Sequence, residues 1–144
     1  MGLATWRISC AEGRSMIGGV SPLQMHLQRV ARALGAYNFR YSSEVHLHEI
    51  MGEVLTAAGY TFERERVLDK QNRADFFLDG MVIEVKVDGP LGAAVSQVTR
   101  YAQLPDVTCL LLMSTERWAQ SPMKEHPAIN GKPFHMARLW RQTL

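Results

Sequence analysis

Asp75, Glu84 and Lys86 are three charged side chains in the run Arg73 to Val87, where an ordinary buried strand would carry none. Two apolar stretches in that run flank Asp79-Gly80, a strong short-range hairpin signal. Alternation in the second strand puts Val82, Glu84 and Lys86 on one face and Ile83, Val85 and Val87 on the other. The apolar face is core. The polar face then shows an acid and an amine side by side, with Asp75 entering from the partner strand. Two carboxylates and one amine at the end of a hairpin can hold a hard divalent cation and manage a proton beside it. The same residues admit a plainer reading. Asp75 can be a turn acid after Asn72, and Glu84 with Lys86 a solvated cross-strand charge ladder.

The elements that must position these groups follow from periodicity and punctuation. Ser21-Pro22 reads as an N-cap with Pro at the first helical position. Leu23, Leu27, Val30, Ala31 and Leu34 then recur at helical spacing up to Gly35. A second helix is predicted over 43–58, with Leu47, Ile50, Met51, Val54 and Ala58 as its apolar stripe. His46 and His48 are two apart, which a helix directs differently, so both read as surface residues. A strand over 60–68, a turn at Asp69 to Asn72 and the hairpin of 74–87 come next, closed by the breaker Asp88-Gly89-Pro90. A third helix over 93–103 carries Ala94, Val98, Tyr101 and Ala102 on one side. Gln97 and Tyr101, four apart, can address one site, with Arg100 beside them. The unbroken apolar run Val107 to Met113 reads as a central strand covered on both faces. Residues 119–133 read as loop with an Asn130-Gly131 turn, and 134–140 as a last edge strand.

Composition bounds the classes. The chain has 144 residues, 47% of them apolar and 21% charged, which fits one folded domain and not a disordered segment. No apolar run approaches the length of a membrane span, so the expectation is a soluble, intracellular protein with no membrane partner. Cys10 and Cys109 make no disulfide framework, and with scattered His they offer no tetrahedral zinc set. Residues 1–41 hold five Arg against one acid, whereas 42–144 hold eleven Lys or Arg against thirteen acids. The sequence therefore divides into a basic N-terminal arm with one helix (1–41) and a body (42–144). Arg29, Arg32 and Arg40 in the arm, with Arg73 and Arg100, are the candidates for phosphate contacts.

The pattern resembles the PD-(D/E)XK nuclease superfamily, the restriction-endonuclease-like fold, and is closest in look to its small Holliday junction resolvase-like members. The resemblance rests on Glu44, Asp75, Glu84-Val85-Lys86 and Gln97-Val98-Thr99-Arg100-Tyr101, within residues 43 to about 115. The Pro that often precedes the Asp is absent; the chain reads Arg73-Ala74-Asp75. The resemblance implies an α/β fold with an αβββαβ core, its mixed sheet of four or five strands flanked by helices. It implies Glu44, Asp75, Glu84, Lys86, Gln97 and Tyr101 as catalytic residues. It implies Mg²⁺ or Mn²⁺ held by Asp75, Glu84 and the Val85 carbonyl, with Glu44 acting directly or through water. The implied activity is endonucleolytic hydrolysis of phosphodiester bonds in branched or structured DNA, by a homodimer that sets two sites across two strands.

Three other readings compete. A repair exonuclease or flap-type nuclease would use the same residues. A non-catalytic nucleic-acid-binding module would keep the basic arm but need not keep all of Asp75, Glu84 and Lys86. A partner-binding α/β domain would use Trp6, Trp118 and Trp140 as hydrophobic anchors.

Overall fold

The computed structural model describes residues 20–121, 123 and 127–142. The part of the expected basic arm that precedes residue 20 lies outside these. The chain forms helix α1 (Pro22–Gly35), strand β1 (Asn38–Phe39), helix α2 (Glu44–Ala57), strands β2 (Glu63–Val67), β3 (Arg73–Leu78) and β4 (Met81–Lys86), and helix α3 (Leu91–Ala102). Strand β5 (Cys109–Ser114), a 3-10 turn at Arg117–Gln120, β6 (Ala128–Ile129), β7 (Lys132–Arg138) and β8 (Trp140–Arg141) complete it.

Local chemistry fixes the element starts. The Ser21 hydroxyl accepts the Gln24 N–H with Pro22 at the first turn, and the Ser43 hydroxyl accepts the His46 N–H. The β3–β4 turn places Asp79 at φ 44° and Gly80 at φ 99°, the left-handed pair that a two-residue hairpin requires.

The result is a mixed α/β architecture. Six strands form one sheet in the order β2-β3-β4-β5-β7-β6, and β1 pairs with β8 as a separate parallel ribbon. Strands β2, β3 and β4 are antiparallel neighbours; β4, β5 and β7 are parallel; β6 returns antiparallel to β7. The expected four or five strands are thus corrected to six. The sixth, among the described residues, is β6, two residues long; β7 answers to the strand expected at 134–140 but lies between β5 and β6 and is not an edge. A two-residue strand has no alternation to read. The outer strand β2 is Glu63-Arg64-Glu65-Arg66-Val67, mostly exposed, and its charges discourage pairing with another sheet edge.

Two cores lie on opposite faces of the sheet. On one, Phe76, Met81, Ile83, Val85, Leu111 and Met113 pack against α1 and α2. On the other, Val82, Leu110, Leu112 and Phe134 pack against Ala94, Val98 and Tyr101 of α3. Strand β5 is buried along its whole length, as its unbroken apolar run predicts. Helix α1 is part of the first core, with Leu27, Val30 and Leu34 fully buried, so residue 41 marks no boundary in the packing.

Helix α2 buries Leu47, His48, Met51, Gly52 and Leu55, a face turned from the predicted stripe, and Ala58 is exposed. The reason is Gly52. Its missing side chain lets the Phe62 ring approach to 3.4 Å from where a Cβ would stand, and Phe62 in turn packs edge-on against Phe76. His48 is consequently a core residue near the Phe76 ring, not a surface one. Among the described residues, no helix is long and apolar enough to cross a membrane.

Candidate active site

The site grows from one local break in the sheet. The β3–β4 ladder runs from Leu78↔Met81 to Phe76↔Ile83 and stops there. On the other side of β3, Arg64 pairs with Phe76 and Arg66 with Ala74, and Glu65 between them takes φ 49°. Strict alternation would send Ala74 to the same face as Phe76, yet Ala74 belongs to the α3 core with Phe77. Asp75 absorbs the shift. Its carboxylate Oδ2 accepts the Val85 N–H at 2.8 Å, a role that a backbone carbonyl would play in a continuing ladder. Since N–H and C=O of one strand residue leave the same edge, the Val85 carbonyl is also directed toward β3, beyond the end of the ladder.

Glu84 sits on the α3 face and is 3% exposed. This rules out the plainer reading of Glu84 as a rung of a solvated charge ladder, because α3 covers its face. One Glu84 oxygen, Oε1, lies 3.6 Å from the Lys86 Nζ; the other, Oε2, is buried with no hydrogen-bond partner. Burial, then the neighbouring Asp75 charge, push the Glu84 pKa up to about 8; Lys86 pulls the other way without restoring it. The Lys86 side chain is 29% exposed, so its amine borders the solvent while its acid partner does not.

Tyr101 closes the floor of the site. It is fully buried, its hydroxyl donates to the Arg73 carbonyl at 2.9 Å, and Gln97 Nε2 donates to that hydroxyl at 2.7 Å. Its one proton is therefore committed next to Glu84, and burial with the Glu84 charge raises its pKa well above the usual phenol value. Tyr101 and Gln97 thereby fasten α3 to the start of β3, beside Asp75.

The structure thus brings Asp75, Glu84, Lys86, Gln97 and Tyr101 together with the Val85 backbone. It does not bring Glu44 to them as a third acid. Among the described residues no three His, Cys, Asp or Glu side chains form a group that could hold a metal ion. Glu44 opens α2 with its carboxylate 3.8 Å from His48 Nε2. The five arginines are all exposed, but they do not form one arm. Arg29 and Arg32 ride on α1 and Arg100 on α3, which cover opposite faces, while Arg40 follows β1 and Arg73 begins β3.

Two positioning residues were not singled out from sequence. The Ser114 hydroxyl donates to the Lys86 carbonyl at 2.6 Å, and the Thr115 hydroxyl to the Val87 carbonyl at 3.0 Å. They pin the end of β4 that carries Lys86, and their only signal is that two hydroxyl residues close an apolar strand. Cys109 is held by burial as a neutral thiol, its pKa pushed up to about 12, and offers no nucleophile.

The donor set suits a hard cation. Two carboxylates and a carbonyl, one carboxylate oxygen buried and unpartnered, make an oxygen-only site short of positive charge. Comparison of the chain with family models, with curated proteins and with solved structures returned no match.

Proposed function

We propose that this chain is a divalent-cation-dependent nuclease on a restriction-endonuclease-like core, hydrolysing phosphodiester bonds in DNA, with branched or structured DNA as the substrate. The observation that carries this reading is the buried Glu84 with one orphaned oxygen, set between Asp75 and Lys86. A carboxyl pair so short of compensating charge is costly for a merely structural sheet, and it has a use if a cation completes it.

Asp75, Glu84 and the Val85 carbonyl would hold Mg²⁺ or Mn²⁺. When bound, such an ion neutralises charge on a phosphoryl group and lowers the cost of ionising water. The remaining work falls to the chain. Asp75 is held in place by the Val85 N–H, and Glu84 by its covering helix. Lys86, beside Glu84 and partly open to solvent, would place its amine where a phosphate's non-bridging oxygens approach. Gln97 and Tyr101 keep the strand carrying Asp75 from drifting. Exposed Arg73 and Arg100 flank this region and suit backbone contacts to nucleic acid.

Cleavage of four-way junctions, flaps, linear duplex and single strands by the purified chain in Mg²⁺ tests the reading. The expected result is metal-dependent hydrolysis with preference for the branched substrates. Preference for flaps or ends would move the assignment to the repair-type alternative. Metal-independent binding without cleavage of any substrate would leave only the binding-module reading.

A further inference from the structure

We infer that the outer face of the β1–β8 ribbon binds single-stranded nucleic acid, with Trp140 as a base-stacking platform and Arg40 and Arg138 as phosphate contacts. The inference begins with charge segregation. Residues 20–43 and 127–142 hold six Lys or Arg and no Asp or Glu, whereas residues 44–121 hold seven against twelve acids. These two acid-free segments fold together: α1 packs on β7, and β1 pairs with β8. The basic surface is therefore built by tertiary pairing of segments far apart in the chain.

The register then places the side chains. In a parallel pair, facing residues share a face, so Asn38 lies beside Trp140. Period-two alternation adds Arg40 and Arg138 to that face. Phe39 and Leu139 point the opposite way and are buried in the core. The Arg138 guanidinium stacks on the Trp140 ring, 4.5 Å from its centroid, whereas Arg141, paired with Phe39, lies over Tyr41 on the other face. Trp140 still exposes 40% of its surface.

So large an exposed aromatic is uncommon without a partner. Flanked by Arg40 and the stacked Arg138, with no acid in either segment, it matches the chemistry of an unpaired strand, whose bases stack and whose phosphates carry the charge. An apolar protein partner would not call for the excess of cations, and a duplex, its bases already stacked, would leave Trp140 unused.

The test is fluorescence anisotropy of labelled oligo(dT), oligo(rU) and a short duplex, measured in EDTA. No cleavage enters, so failure of the nuclease reading leaves this result interpretable. Trp140→Ala is expected to weaken single-strand binding about tenfold or more while duplex binding changes less than about twofold. Trp140→Phe, which keeps a stacking ring, is expected to restore most of the affinity; circular dichroism checks the fold. The tighter of the two single strands names the sugar. Arg40→Gln should lower the salt slope for the single strand by about 0.7. Unchanged oligonucleotide binding by Trp140→Ala, or an equal loss for single strand and duplex, would overturn the proposal.

Discussion

The two faces of the central sheet are built from alternate residues of the same strands, yet they carry different burdens. The face under α1 and α2 presents Met81, Ile83 and Val85 from β4 and Cys109, Leu111 and Met113 from β5, an apolar surface throughout. The face under α3 begins the same way with Val82, Leu110 and Leu112. It ends with Glu84, Lys86 and Ser114, and with Asp75 entering from β3. One face spends its burial on cohesion. The other holds a buried carboxyl whose partner is incomplete. Substitutions on the first face should act on stability alone, and substitutions on the second should separate stability from activity.

The largest stability effect belongs to the apolar face. Leu111 is fully buried between β4 and β7, and Leu111→Ala should cost about 2–5 kcal/mol, the range for such truncations in packed cores. Urea denaturation measures it. Cleavage per folded molecule should stay within about twofold of the wild type. A large loss of activity in the folded variant would show that the two faces are not independent.

The α3 face should behave in the opposite sense. The folded-state pKa of Glu84, about 8, lies above its ordinary value of 4.5, so folding favours the protonated acid. The stability this contributes is fully present below about pH 4.5 and is lost as the pH rises through about 8. In EDTA the melting temperature should therefore fall between pH 5 and pH 9, by several degrees for a domain of this size. Mg²⁺ should recover part of the loss at pH 9. Glu84→Gln should flatten the pH dependence, raise stability at pH 9 by on the order of 2 kcal/mol, and abolish the Mg²⁺ effect. An unchanged pH profile in Glu84→Gln would mean that Glu84 does not carry the buried charge.

Tyr101→Phe should have the smallest effect, about 1 kcal/mol, because the ring packing survives and one hydrogen bond to the Arg73 carbonyl is lost. Cleavage should fall by less than about tenfold, through looser placement of Asp75. A loss approaching that of a residue touching the phosphate would restore Tyr101 to the catalytic set.

The contrast between the faces also marks what could be read from sequence. The Asp79-Gly80 turn, the Ser21 and Ser43 caps and the apolar run of β5 are local signals, and each element forms where they stand. Asp75, Glu84 and Lys86 could be found because charge in a strand is conspicuous. The cover over them could not: alternation shows that Glu84 and Val82 share a face, but not that α3 closes it. The proton of Tyr101 was equally hidden, since its acceptor is a backbone carbonyl 28 residues away. Helix α1 read as an arm because its arginines are exposed, although its other side enters the core. The pairing of β1 with β8 joins two dipeptides about a hundred residues apart and leaves no periodic trace. Glu44 was placed by resemblance, and its observed partner, His48, is buried by the accident of a glycine one turn on.

Lys86 is where the account stands or falls, because its amine is the one charged group of the site that is both fixed beside Glu84 and open to solvent. The decisive measurement is single-turnover cleavage of a four-way junction at saturating protein in Mg²⁺, wild type against Lys86→Ala, with circular dichroism and binding affinity as controls. A variant that folds, binds DNA and cuts slower by a factor of about 10² or more is the expected result, the loss typical of removing a positioned charge-stabilising or proton-transfer group. Cleavage at the wild-type rate would contradict the central assignment and return Glu84 and Lys86 to the status of a charge pair in a sheet.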